Sequence, residues 1–246
     1  MDSRKEKWIV AGATCGTILF GLAPYVQAMH ITEGFLPPVW AIAWGALCLP
    51  FLMAGYSSIK KKMEIDPQNS VLLALSGAFV FVLSSLKIPS LTGSCSHPTG
   101  IGLGAVLFGP LAMSLIGLIV LLFQALLLAH GGLTTLGANL FSLGVIGPLV
   151  AYLVYRLVYH LTRRSSLAVF GAAFIGDLMT YVVTAIQLGL AHPTQGHTGP
   201  SIMKFLVVFA VTQIPLAIVE GLVSVVVYSV ILKYEAPRLK KLKVLS

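Results

Sequence analysis

The run IGLGAVLFGPLAMSLIGLIVLLFQALLLA, residues 101–129, decides how this chain folds. It is apolar throughout, longer than the ~20 residues that cross ~30 Å of hydrocarbon, and it carries Gly109-Pro110 in its first half. Proline there removes a backbone donor and breaks a helix. The run therefore reads as a short segment at 101–108, a break, and a longer helix over 111–129. Further apolar runs lie at 36–57, 71–88, 139–160, 167–190 and 203–232. With one run double, the expected fold is an all-α membrane protein, a polytopic helix bundle of about seven transmembrane segments, one of them short.

Composition agrees. Of 246 residues only 10% are charged, against ~25% in soluble domains, while 57% are hydrophobic and the mean hydropathy is +0.92. A soluble globule has no way to hide so much apolar surface behind so few charges. The 16 Lys and Arg outnumber the 8 Asp and Glu, but they cluster between apolar runs: Lys60-Lys61-Lys62, Arg156 with Arg163 and Arg164, and Lys233 to Lys243. They are topology determinants and not a nucleic-acid surface, and the positive-inside rule places all three clusters in the cytoplasm. Three cysteines, one of them in the segment discussed next, make no disulfide framework.

Arg4, Lys5 and Lys7 precede the apolar stretch from Trp8 to Leu22, and Val26-Gln27-Ala28 supplies the positions of a cleavage site. Residues 1–28 read as a secretory signal peptide, leaving 29–246 as a single transmembrane substrate-binding domain. An uncleaved first helix is the alternative, against which Pro24 argues. Cleavage places Met29 outside and, with the C-terminus inside, requires an odd number of crossings, which seven segments supply. Three polar or Gly-rich stretches then meet outside: 29–34, 89–100 and 130–139. Irregular backbone near membrane depth is tolerated where it is buried in protein or lines a cavity, so Gly93 to Gly100 is a site candidate.

A free amine at Met29 followed by His30 is a chelate, offering the amine nitrogen, the deprotonated amide nitrogen of residue 30 and an imidazole nitrogen of His30. One further imidazole, with His97 best placed, completes a square set of four nitrogens suited to Ni(II), Cu(II) or low-spin Co(II). Cys95 offers a thiolate or simply packs. His130 lines an entrance or caps a helix. His192 and His197 collect metal at the surface or stand in a solvated loop, and His160 is interfacial. Asp177 and Glu220 fall inside apolar runs, where a charge is costly; they are interhelical ties or, alternatively, a proton relay. Asn139, Gln124, Gln187 and Gln213 read as interhelical hydrogen-bonding groups. Ala41-x-x-x-Gly45 is a small-residue stripe on which a partner helix could dock. No phosphate-binding loop, zinc-protease pair or nucleophile elbow is present in the sequence, so the chain is not expected to be an enzyme.

These motifs, in order, resemble the membrane substrate-capture subunits of cobalt and nickel energy-coupling-factor transporters, the CbiM/NikM family. The resemblance rests on Met29-His30-Ile31-Thr32-Glu33-Gly34-Phe35-Leu36-Pro37, on Gly93-Ser94-Cys95-Ser96-His97-Pro98-Thr99-Gly100, on His130 to Asn139, and on Gln213-Ile214-Pro215 with Glu220-Gly221. It covers nearly the whole chain after residue 28. It implies a metal held by Met29, His30 and His97, with cobalt, or nickel, as transported substrate. Its implied partners are a transmembrane coupling subunit, a pair of ABC ATPase subunits that hydrolyse the ATP, and a small accessory membrane subunit. It also implies a bacterial or archaeal cytoplasmic membrane as the location. Thr32-Glu33-Gly34 is more like the cobalt branch, which supplies cobalamin synthesis, than the Pro-Asp-Gly of the nickel branch. Two other readings remain: a self-sufficient proton-coupled carrier using Asp177 and Glu220, and a membrane metal sensor or chaperone.

Overall fold

The structure is a computed structural model that describes residues 27–28, 30–86, 88–89 and 94–242. The signal-peptide residues 1–26, Met29, Lys87 and Gly93 lie outside the described residues, as does the Cys95 side chain.

Among the described residues, seven helical segments follow in order: α1 (Pro38–Ile65), α2 (Asn69–Ser85), α3 (Ile101–Phe108), α4 (Pro110–Leu128), α5 (Leu136–Thr162), α6 (Ser165–Ala191) and α7 (Thr198–Lys241). Five are long and apolar enough to cross a membrane, joined by the shorter apolar α2 and the eight-residue α3. The break within 101–129 falls where proline demands it. Gly109 adopts φ +76°, and Pro110 sits in the first turn of α4, where its missing N–H costs nothing. Every residue of α3 is buried, since it fills the middle of the bundle against α4, α5 and α6. Gly102 permits this: a Cβ there would stand 2.6 Å from Ala173 Cα. α5 contains a π-helical stretch at Phe141–Ile146, and α7, longer than its apolar run, is kinked at Glu235 just before Pro237.

Three short strands accompany the helices: β1 (Gln27–Ala28), β2 (Ile88–Pro89) and β3 (Ser94–Ser96). β3 is central, parallel to β1 and antiparallel to β2. In the register Gln27 faces Ser94 and Ala28 faces Cys95, an offset of 67 residues. The same offset separates His30 from His97.

The small-residue stripe on α1 corrects its expected use. Gly137 at the start of α5 packs on Gly45, so closely that a Cβ on Gly137 would lie 2.5 Å from Gly45 Cα and 3.3 Å from the Ala41 carbonyl oxygen. The Ala41-x-x-x-Gly45 spacing serves a contact within the chain. It is not a free surface awaiting a partner helix.

Candidate metal centre

His30, His97 and His130 come from three separate stretches and meet at one end of the bundle, where all three are buried. His30 precedes α1, His97 stands between β3 and α3, and His130 follows α4. The return from α3 to α4 brings His130 back to the level of His97, the consequence of the break at Gly109. His30 Nδ1 lies 2.8 Å from His97 Nε2 and 2.6 Å from His130 Nε2. The His30 and His97 rings stack at 4.6 Å with 13° between planes, and His130 meets both edge-on. His97 Nδ1 is 3.1 Å from the Pro98 carbonyl oxygen. Donating its proton there, the ring turns the lone pair of Nε2 toward His30.

Three imidazole nitrogens aimed at one region repel through their lone pairs unless a proton or a cation stands among them. Metal bonds of ~2.0 Å at right angles place neighbouring ligand nitrogens ~2.8 Å apart. The observed 2.6 and 2.8 Å match that spacing.

The backbone around His30 is held by side chains far away in sequence. Asn139 accepts from the Ile31 N–H at 2.8 Å and donates to the Ile31 carbonyl at 3.0 Å, closing both polar groups of one residue. Thr135 donates to the same carbonyl at 2.6 Å. Next along the chain, Thr134 N donates to Glu33 and Gly34 N donates to Thr134 Oγ1. Hydrogen bonding by the Thr134 side chain, with smaller help from the Thr134 and Leu133 backbone, holds the Glu33 carboxyl below its ordinary value against a small opposing effect of burial. Gly132 lies so close that a Cβ would stand 2.5 Å from Glu33 Cα and 2.7 Å from Glu33 N. Further out, His192 Nε2 lies 2.9 Å from the Phe35 carbonyl oxygen, and Gln187 donates to the Ala138 carbonyl.

The segment carrying His97 is fixed from the other side by α6 and α7. Gln213 Nε2 donates to the His97 carbonyl at 3.2 Å and to Asp177 Oδ2 at 2.6 Å. Glu220 accepts from the Thr99 N–H at 2.5 Å and from Thr99 Oγ1 at 3.0 Å. Ser96 Oγ is 2.6 Å from Thr212 Oγ1. Asp177, through Gln213, and Glu220, through Thr99, are thus joined to the backbone that places His97.

Among the described residues, the three histidines form a group whose ligand atoms lie within 4.8 Å of one another. His197 is exposed in a turn bridged to Thr194, and His160 lies at the opposite end of the bundle. Gln124 joins α4 to α2 through Ser84 at 2.6 Å. His130, which the sequence allows to line an entrance or to cap a helix, joins His30 and His97 in the structure. The pairing of Asn139 with Ile31 went unforeseen.

A family model described as the cobalt uptake substrate-specific transmembrane region, CbiM, matches residues 30–238. The chain belongs to the CbiM family. Members so similar include the cobalt transport protein CbiM of Ruminiclostridium cellulolyticum, 56% identical over 231 residues that make up 94% of this chain and 92% of that protein. The cobalt transport protein CbiM of Chlorobium limicola is 60% identical over 218 residues, 88% of this chain and 86% of that one. Two solved structures share the fold. One is a transition metal transporter with TM-score 0.73 and 30% identity, covering 83% of this chain and 92% of that chain. The other, a truncated transition metal transporter, has TM-score 0.74 at 28% identity and covers 83% and 99%. This CbiM-family chain is therefore a cobalt-uptake membrane protein, a metal transporter built as a multi-pass helix bundle, and cobalt is its transported substrate.

Proposed function

We propose that the chain is the substrate-capture subunit of an ATP-driven importer of the energy-coupling-factor type, which takes Co(II) at the outer face for cobalamin synthesis. Signal cleavage after Ala28 frees the Met29 amine. The amine, the amide nitrogen of His30 and His30 Nδ1 close successive five- and six-membered chelate rings, and His97 Nε2 completes a square of four nitrogens. A nickel-specific role uses the same four, since Ni(II) shares the geometry. The observation that carries this reading is the approach of His30 Nδ1, the imidazole nitrogen that the six-membered ring requires, to His97 Nε2 at 2.8 Å. His130 Nε2 stands beside the square as an accessory donor.

The histidine end faces outside and the basic clusters face the cytoplasm of a bacterial or archaeal cell, as the positive-inside rule requires. Energy comes from partner subunits: a transmembrane coupling subunit and paired ABC ATPases, with a small accessory membrane subunit. In this reading Asp177 and Glu220 are positioning residues, engaged by Gln213 and Thr99. A self-sufficient proton-coupled carrier would instead use them as a relay. Reconstitution in vesicles separates the two. Cobalt uptake that needs the partners and ATP is the expected result, and uptake by this chain alone driven by a proton gradient overturns it.

A further inference from the structure

A second polar cavity lies at the opposite end of the bundle from the histidines. It has a volume of about 450 Å³, within the range of ligand-binding pockets. It exists because α3 stops after eight residues: Phe108 and Gly109 form its roof, and the space below them is left open where a full-length helix would have continued. Its walls bring together Lys62 from the end of α1 and Arg156, His160 and Arg163 from the end of α5, with the phenol rings of Tyr152 and Tyr159 between them. Arg156 and Arg163 each lie 6.0 Å from the ring centroid of one of these tyrosines, at the outer limit of a cation–π contact.

Among the described residues, no carboxylate lines the cavity. Asp66, close to the end of α1, pairs with Lys241 at 3.4 Å. Three cations and a histidine around one concave space repel each other. An anion at the centre reverses the sign of every one of these interactions, and guanidinium groups are suited to phosphate oxygens. The cavity is lined by helix ends that carry basic clusters, and basic pockets between transmembrane helices on the cytoplasmic side are places where anionic headgroups bind.

We propose that this cavity binds a phosphate diester supplied by an anionic phospholipid of the surrounding leaflet. The bound headgroup ties the end of α1 to the end of α5 beneath the short helix α3. The site is independent of the metal reading, because its residues lie at the far end of the bundle from His97.

The test is made on the purified full chain, stripped of lipid. Native mass spectrometry counts retained lipid, and thermal unfolding is followed with phosphatidylglycerol, with phosphatidylcholine, or with inorganic phosphate. The expected result is retention of phosphatidylglycerol, with a rise in Tm that phosphatidylcholine does not give. Arg156→Gln and Arg163→Gln should each weaken retention roughly five-fold, and Arg156→Lys should retain more than Arg156→Gln. Cobalt content serves as the folding control for each variant. A Tm rise from inorganic phosphate equal to that from phosphatidylglycerol overturns the lipid source. Retention unchanged in both Gln variants, or no preference for phosphatidylglycerol, overturns the site.

Discussion

Replacing Asn139 by Leu tests how His30 is held in place. The side chain is similar in size and Asn139 is only 2% exposed, so the change removes hydrogen bonds with little change in volume. Both hydrogen bonds to Ile31 are lost, from its N–H at 2.8 Å and to its carbonyl at 3.0 Å, together with a longer one to Thr135 Oγ1 at 3.4 Å. The carbonyl keeps Thr135 at 2.6 Å, but the N–H is left buried and unsatisfied, which costs ~1–3 kcal/mol. The chain relieves that cost by letting residues 30–31 leave their seat, and His30 leaves with them. The same energy then appears as weaker metal binding, about 5- to 150-fold at ~1.4 kcal/mol per decade. Thr135→Val removes one of two donors to a carbonyl that keeps the other, so its loss is about five-fold or less. The assay is competition for Co(II) against a chromogenic chelator, on purified protein of verified amino-terminus, with Tm measured alongside. Wild-type affinity in Asn139→Leu, or a larger loss in Thr135→Val, would refute the clamp.

Gly132→Ala places a Cβ against the backbone of Glu33, which no rotamer change relieves. We expect normal membrane insertion but a metal content below half of wild type, read by elemental analysis. Glu220→Leu leaves the Thr99 N–H without its acceptor and should weaken Co(II) binding by ~1–3 kcal/mol, whereas Glu220→Gln keeps an acceptor oxygen and should stay within a few-fold of wild type. Loss of uptake in Glu220→Gln with binding intact would favour a relay instead. Cysteines introduced at residue 133, which is 52% exposed just after His130, and at residue 61 should be labelled by an impermeant reagent from opposite sides of the membrane, and labelling of residue 133 from the cytoplasm would invert the proposed orientation.

The segment count was legible because proline and glycine act locally: Gly109-Pro110 ends α3 and starts α4 whatever surrounds them. Hydropathy located the spans for the same reason, since twenty apolar residues need no distant partner to be read. His30 and His97 stand out in the sequence as a histidine beside an expected cleavage site and a histidine in a Gly-rich segment, and the structure brings their imidazoles together. What stayed hidden depends on contacts between residues about a hundred positions apart. Asn139 has no local signature that ties it to Ile31, and Glu220 none that ties it to Thr99. Nothing in the sequence near His130 shows that the chain returns to the level of His97; that follows only once α4 is seen to run back alongside α3. The Ala41-x-x-x-Gly45 stripe was misassigned because small-residue spacing marks a close helix contact without saying whether the partner lies inside the chain. Its partner is Gly137.

The proposed capture site is tested most directly by bound-metal analysis of protein whose amino-terminus has been sequenced. Cleaved wild-type chain beginning at Met29 should carry stoichiometric cobalt. Protein left uncleaved by a bulky residue at position 28, and the His30→Ala variant, should insert in the membrane and hold almost none, while His97→Ala should keep a weaker site of three nitrogens. Full cobalt occupancy in the uncleaved protein or in His30→Ala would contradict the account.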